Sequence, residues 1–154
     1  MSEISCRLAT ADDIEALVRL RLAFLAEVGQ AVAEANQLPE AIRAYFAATV
    51  PSGEFVAAVA EIGGVIVATS GMLYHRHPPS AKNPAGLSAY ILNVYVQPAH
   101  RRRGIATQLL KMLADQARDV GCREARLHAM PQGQALYPTL GFVPVSLPEM
   151  KLEL

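Results

Sequence analysis

A cluster of arginines directly before a glycine is the part of this sequence best suited to chemistry. Arg101, Arg102 and Arg103 precede Gly104, and Ala106 follows two residues later. From Ile105 the apolar residues recur at helical spacing, which predicts a helix that begins close to Gly104. The first amides of a helix have no partners within it, and small side chains leave them accessible to an anion. We therefore expect a site for a phosphate-bearing ligand here.

This cluster also has simpler explanations. A run of three arginines is most often a solvated surface or a nonspecific contact with a polyanion. Its place between a predicted strand and a predicted helix, with Gly-Ile-Ala directly after it, favours the phosphate site. The chain contains neither Gly-Lys-Ser/Thr nor Gly-x-Gly-x-x-Gly, so the sequence lacks the signatures of the Walker loop and of the dinucleotide fold.

A second candidate is Tyr137, in the segment Leu-Tyr-Pro-Thr-Leu-Gly-Phe at residues 136–142. By itself Tyr137 would be interpreted as a core aromatic residue of a short helix. Taken together, however, Arg-x-x-Gly-x-Ala at residues 101–106 and Leu-Tyr-x-x-x-Gly-Phe at residues 136–142 resemble the two signatures of the Gcn5-related N-acetyltransferase (GNAT) family. The pair of motifs is more specific than either motif alone.

The resemblance implies an α/β (α+β) fold with a mixed, mostly antiparallel central sheet flanked by helices on both faces. It implies acetyl-CoA as the cosubstrate, and transfer of the acetyl group to a primary amine by direct attack in a ternary complex. In the family, the strand before the first signature diverges from the strand after its helix, and the unpaired backbone binds the pantetheine arm. The residues expected to bind the cofactor are Val94, Tyr95, Val96, Arg101, Arg102, Arg103, Gly104, Ile105, Ala106 and Thr107.

The chemistry needs an acid, a donor to the oxyanion and a way to remove a proton from the amine. Tyr137 is the expected acid, since a phenol with a pKa near ~10 remains protonated and available to the leaving thiolate. The backbone amide of Val96 is expected to meet the oxyanion. The sequence does not identify the base, because the strand has no glutamate where some family members keep theirs. We expect an ordered-water relay or an acceptor with a lowered pKa, and substrate contacts from Tyr90, Asn93 and His75.

Composition limits the alternatives. The chain has 154 residues, which fits one domain over residues 1–154, and its 14 basic and 14 acidic residues cancel. This balance counts against a nucleic-acid-binding or structural protein whose arginines are incidental, while a noncatalytic acyl-CoA sensor stays open as an alternative. The two cysteines lie outside any Cys-x-x-Cys pair, so no metal site is expected. No apolar run suits a membrane span and no export signal is recognised, so a cytoplasmic location is expected.

The remaining pattern predicts the order β, α, α, β, β, β, α, β, α, β, β. A capping box at Thr10 and Asp13 starts the first helix, and the segment 30–38 has no clear state. The amine specificity, and the homodimer that the family resemblance suggests, are not written in the sequence. The predicted elements are strands at 4–8, 55–62, 65–74, up to 96, 124–129, 142–145 and 150–154, helices at about 14–29, 39–49, 104–120 and 132–140, a turn at 51–53 and a loop at 75–88.

Overall fold

The structure is a computed structural model that describes residues 2–154, and a sheet of five strands lies at its centre. The strands neighbour one another in chain order, the first four antiparallel and the fifth parallel to the fourth. The mixed, mostly antiparallel sheet predicted from the resemblance is confirmed. Its strands are β1 (Ile4–Leu8), β2 (Phe55–Ile62), β3 (Val65–Arg76), β4 (Leu87–Val96) and β5 (Ala125–Arg126).

Three helices cover the two faces of this sheet, as expected: α1 (Ile14–Glu27), α2 (Leu38–Ser52) and α3 (Ile105–Val120). One apolar cluster joins α1 and α2 to the sheet, and a second joins α3 to the opposite face. In α3, Leu109 and Leu113 recur at helical spacing and are completely buried, which explains why this helix packs one face against the sheet.

The predicted capping box at Thr10 and Asp13 is present, but it caps a short 3₁₀ turn at Ala11–Asp13 that leads directly into α1. The Thr10 amide donates to the Asp13 carboxylate at 2.8 Å, and the Thr10 hydroxyl accepts from the Asp12 amide at 3.3 Å. Arg7 on β1 donates to both oxygens of Asp13, at 2.7 and 3.0 Å. The Arg7 guanidinium lowers the pKa of the Asp13 carboxyl, so a charged, mostly buried side chain ties this turn to the sheet.

A bulge at Asn93 changes which side chains of β4 face each side of the sheet. Asn93 has a φ of 57°, and the register of β4 with β3 shifts at the same level. Leu92 therefore packs with the cluster of α1 and α2, whereas Val94 and Val96 pack with the cluster of α3. In the sequence, Leu92, Val94 and Val96 alternate with Asn93 and Tyr95, which predicts a regular strand with the three apolar side chains on one face. That prediction is wrong, because the extra residue at the bulge reverses the parity.

Several predicted boundaries are also wrong. Strand β3 continues to Arg76 and β4 starts at Leu87, so the predicted loop at 75–88 is reduced to residues 77–86. The His77 amide donates to the Gly86 carbonyl at 2.9 Å, which prolongs the ladder to the end of the hairpin. Pro51 and Ser52, predicted to lie in a turn, belong to the last turn of α2, which ends at Gly53 with a φ of 80°.

The C-terminal segment contains less regular structure than predicted. The strand at 124–129 is only Ala125–Arg126, and the predicted helix at 132–140 is two 3₁₀ turns, Pro131–Gly133 and Tyr137–Leu140. Residues 142–145 and 150–154 form no strand, and Val143, Leu147 and Leu152 are at least 80% exposed. Pro144 and Pro148 cannot donate to a sheet ladder, which explains why apolar composition misled the prediction. Among residues 2–154 no helix is both long and apolar enough to cross a membrane.

Candidate active site

The candidate site lies where β4 and β5 part. These two strands pair only at Ala89 with Ala125 and at Tyr90 with Arg126. Beyond Tyr90, the edge of β4 that faces away from β3 has no strand partner within residues 2–154. A cleft of about 990 Å³ opens along this edge. The divergence of strands that the resemblance implies is therefore present at the expected strand.

Most of the residues predicted for the site line this one cleft. They are Tyr90, Asn93, Val94, Tyr95, Val96, Arg101, Arg102, Gly104, Ile105, Ala106, Thr107 and Tyr137. Two predicted residues do not line it. Arg103 is exposed and outside the cleft wall, and His75 instead stacks on the ring of Tyr90, with 5.5 Å between ring centroids.

The turn before α3 has the form expected of an anion site. Arg102 and Gly104 have positive φ values, 60° and 76°, which redirect the backbone at the start of α3. No side chain caps this helix end, so nothing from a side chain competes for its first amides. A Cβ at Gly104 would meet no atom within 4 Å, so space within the protein does not require glycine here. The positive φ of the backbone does. Ile105 is 2% exposed, and its side chain belongs to the core.

Arg101 forms several contacts within the protein. Its Nε donates to the Val96 carbonyl at 2.8 Å, and its Nη2 donates to both carboxylate oxygens of Glu27 at 2.7 and 2.9 Å. Its guanidinium also lies over the Tyr95 ring, 5.6 Å from the centroid. The amide of Gln97, the residue directly after β4, donates to the Val67 carbonyl of β3, so the Val96 carbonyl points the opposite way, toward the cleft. Arg101 therefore braces the end of β4 against α1.

Tyr137 lies in the wall of the cleft and is 8% exposed. Its ring meets Phe142 edge to face, with 5.9 Å between centroids, and a Cβ added at Gly133 would lie 2.9 Å from its Cε2. Burial raises the pKa of the Tyr137 phenol, so the hydroxyl keeps its proton at neutral pH. The two motif residues Gly141 and Phe142 thus end the turn and orient the ring.

A chain of hydrogen bonds, not foreseen from the sequence, lies at the mouth of the cleft. The Tyr90 hydroxyl bonds to Nδ1 of His128, and Nε2 of His128 bonds to the carboxylate of Glu149. With the proton on Nε2, the imidazole accepts from the phenol and donates to the carboxylate. Burial, followed by the charge of Glu149, raises the pKa of Tyr90. Sequence reasoning had no signal for Glu149, which lies 21 residues beyond His128.

Helix α1 supplies three cleft residues that belong to neither motif: Arg21, Phe24 and Glu27. Their helical spacing places them on one face, but a helix face of mixed polarity carries no motif that separates a cleft wall from solvent. Among residues 2–154 no cluster of three or more histidine, cysteine, aspartate or glutamate side chains is arranged to hold a metal ion.

Known proteins share the sequence profile and the fold of this chain. The sequence profile described as the Acetyltransferase (GNAT) family matches residues 20–142. A GCN5-related N-acetyltransferase structure from Ralstonia eutropha superposes with a TM-score of 0.85 at 30% identity, over 97% of this chain and 99% of that one. An acetyltransferase from Clostridium acetobutylicum, solved with acetyl-CoA, gives a TM-score of 0.88 at 28% identity, over 98% and 96% of the two chains.

Curated relatives are similar over a shorter range. The thialysine N-epsilon-acetyltransferase of Bos taurus is 30% identical over 91 residues, which are 57% of this chain and 51% of the bovine protein. The Sus scrofa protein of the same name is 36% identical over 59 residues, 36% of this chain and 35% of that protein. The chain thus spans about half the length, or less, of these relatives.

The chain belongs to the GNAT family of acetyltransferases, since the family profile covers most of it. The family and the fold predicted from the two motifs are confirmed. Acetyl-CoA, the expected cosubstrate, is the ligand named for the Clostridium acetobutylicum structure.

Proposed function

We propose that this protein transfers the acetyl group of acetyl-CoA to a primary amine by direct attack in a ternary complex. The observation that carries the proposal is the cleft at the unpaired edge of β4, which has the uncapped start of α3 beside it and a protonated phenol in its wall. Family membership supports the reaction type, and the relatives named as N-acetyltransferases support an amine as the acceptor.

The residues around the cleft fit acetyl-CoA. The β4 backbone near Val94 to Val96 offers hydrogen-bonding groups to the pantetheine amides, in the manner of an added strand. The first amides of α3, with small side chains at Gly104 and Ala106, suit the pyrophosphate, and Arg102 lies beside them. When bound there, acetyl-CoA supplies an activated thioester. The Val96 carbonyl is already bonded to Arg101, so pairing with the pantetheine amides depends on the other groups of this segment, and the Val96 amide is left for the thioester oxygen.

Tyr137 acts as the acid in this proposal. Its burial keeps the phenol protonated, and its place in the cleft wall allows it to donate a proton to the departing thiolate. The Val96 amide, held by the sheet, is the donor proposed for the oxyanion.

The chain Tyr90–His128–Glu149 is the proposed route for the proton of the amine. As the amine loses a proton to the Tyr90 oxygen, the phenol proton passes to Nδ1 of His128, and the resulting imidazolium is stabilised by Glu149. The ring of His75, stacked on Tyr90, holds the phenol in place. In this proposal, the relay takes the place of the two alternatives expected from the sequence, an ordered-water relay or an acceptor with a lowered pKa.

The experiment for the proposal compares Tyr137→Phe with Tyr74→Phe. Tyr74 is also a partly buried phenol, but it packs against the α3 cluster outside the cleft. Free thiol release from acetyl-CoA, measured across a panel of amines, is expected to fall about 10²-fold or more in Tyr137→Phe while CoA affinity by calorimetry stays unchanged. Tyr74→Phe is the control and should retain the rate. Equal rates in Tyr137→Phe and the native protein would remove Tyr137 from the mechanism.

Assembly is a further part of the proposal. Apolar side chains of the last twelve residues are largely exposed, among them Val143, Leu147, Met150 and Leu152. We propose that they contribute to a homodimer, because single chains rarely expose a contiguous apolar segment of this kind. Light scattering of the native chain and of Leu147→Ser/Leu152→Ser tests this, and a monomeric native chain would contradict it.

The cytoplasmic location stays a prediction, to be tested by fractionation.

A further inference from the structure

Arg21 differs from three other arginines that join separate elements of the fold. Arg7, Arg43 and Arg101 each form ion pairs with carboxylates. Arg21 is partly buried, yet it forms no ion pair with an aspartate or glutamate among residues 2–154. Its contacts are a long hydrogen bond of 3.4 Å to the Asn93 side chain and the face of Phe24, 5.7 Å away.

A guanidinium that is withdrawn from water without a counterion is unfavourable, and such groups mark functional sites. Burial lowers the pKa of Arg21, but an arginine keeps its charge at any physiological pH. The Arg21 guanidinium therefore carries a permanent positive charge that no carboxylate of residues 2–154 pairs with. This unpaired arginine lies in the wall of the cleft and not on the open surface.

Arg21 lines a second, smaller cavity of about 280 Å³ between α1, α2 and the sheet. Arg21, Leu92 and Asn93 line both this cavity and the main cleft, so the two spaces meet at the bulge of β4. The rest of its wall is mainly apolar and aromatic. Those residues are Ala41, Ile42, Tyr45, Phe46 and Phe55.

Asn93 gives an independent indication of a ligand. It is 5% exposed, has a strained φ of 57°, and its Nδ2 donates to no acceptor within the described residues. Its Oδ1 faces Arg21. Unsatisfied buried donors are uncommon and require an explanation, and an acceptor held on Arg21 would place one beside this amide.

We propose that Arg21 and Asn93 form a subsite for a carboxylate carried by the acceptor, so that the substrate class is a small amine of amino-acid type. The inference rests on the proposed function, since it assigns the far end of the acceptor of that same cleft. One planar guanidinium fork matches one carboxylate, whereas the apolar wall offers nothing to neutralise the second charge of a phosphate monoester. The two cavities would hold the two ends of one molecule.

The test uses lysine, lysinamide and cadaverine, which share an alkylamine and differ in the carboxylate. With the native protein, kcat/KM for lysine should exceed that for lysinamide and for cadaverine at least tenfold. In Arg21→Gln this ratio should fall to near one. Arg19→Gln is the matched control, because Arg19 is on the same helix and donates to the Ile66 carbonyl instead. Equal kcat/KM values for the three amines with the native protein would overturn the subsite while leaving acetyl transfer intact.

A binding arm separates failure of the subsite from failure of the transfer. Calorimetric titration of each amine into the protein saturated with CoA needs no reaction. Preferential binding of lysine that is lost in Arg21→Gln supports the subsite even if no acetyl group is transferred, a result that would refute only the proposed function. Preference for phosphoethanolamine over lysine would overturn the carboxylate assignment. Retention of the lysine preference in Arg21→Gln would do the same.

Discussion

Glu27 holds Arg101 in a two-oxygen ion pair, with Nη2 of Arg101 2.7 and 2.9 Å from the two carboxylate oxygens. This contact joins the last residue of α1 to the turn that precedes α3, across 74 positions of sequence. The two side chains are 35% and 39% exposed, so water screens the pair only in part. The position of the arginine motif at the end of β4 thus depends on a helix that the motif itself does not include.

The ion pair of Glu27 and Arg101 should be measurable as a coupling free energy between variants of the two residues. In a double-mutant cycle of Glu27→Gln and Arg101→Gln, we expect a coupling of about 0.5–1 kcal/mol in the free energy of unfolding, decreasing with added salt. The control cycle is Asp115 with Arg118, a pair on α3 whose side chains are 75% and 73% exposed. Its coupling should be near zero. Additive effects at Glu27 and Arg101 would contradict the bracing role.

Asp13 should make the stability of the protein depend on acid pH. Arg7 lowers the pKa of Asp13 in the folded chain, while in the unfolded chain it is about 3.9. The stabilisation is therefore complete above the unfolded value and is lost as pH falls through the folded value. Asp13→Asn should lower the free energy of unfolding by about 1–2 kcal/mol at pH 7, with the difference from the native chain shrinking near pH 3.

Urea unfolding at both pH values measures this difference. Asp12→Asn serves as the control, because Asp12 is exposed on the same turn and contributes no side chain to the capping box. If the difference between the native chain and Asp13→Asn were as large at pH 3 as at pH 7, the ion pair with Arg7 would not be its source.

Gly133 should be required for the position of Tyr137. A Cβ there would lie 2.9 Å from Cε2 and 3.1 Å from the hydroxyl of Tyr137, so alanine forces the ring to move. We expect kcat of Gly133→Ala to fall about tenfold or more, because small displacements of a reacting group are costly. CoA affinity should change little. Gln134→Ala, an exposed neighbour, is the control, and the native rate in Gly133→Ala would show that the ring is free to shift without consequence.

His128 should affect the removal of the proton more than the binding of the cofactor. In His128→Gln, kcat/KM for an alkylamine is expected to fall about 10²-fold at neutral pH, with recovery toward high pH where more of the amine is already neutral. Tyr90→Phe should behave in the same way, because it removes the hydroxyl that begins the relay. His77→Gln, on the hairpin loop outside the cleft, is the control. A loss of rate that is independent of pH would argue for a positional role only.

The parts that could be predicted from sequence are those in which the pattern is local. The hairpin of β2 and β3, the capping box at Thr10, and the arginine turn before α3 follow from neighbouring residues, and the structure contains each of them. The position of Tyr137 in the cleft followed from a family motif, since its own surroundings look like those of a core aromatic residue.

The parts that could not be predicted depend on distant residues. His128 and Glu149 meet across a segment whose only regular structure is two 3₁₀ turns, and Arg21 faces Asn93 across 72 positions. The bulge at Asn93 gave no signal, because its neighbours alternate as an ordinary strand does. Apolar residues at 142–154 suggested strands, but Pro144 and Pro148 interrupt the donors that a ladder needs.

Mass spectrometry of amines incubated with the native protein and acetyl-CoA tests the central claim most directly, with thiol release recorded in the same reaction. The account predicts N-acetylated amine and free CoA in equal amounts, at rates that saturate with both reactants and fall in Tyr137→Phe. Calorimetric binding of CoA without any acetylated product or thiol release across the panel would contradict it and would leave an acyl-CoA sensor as the better description.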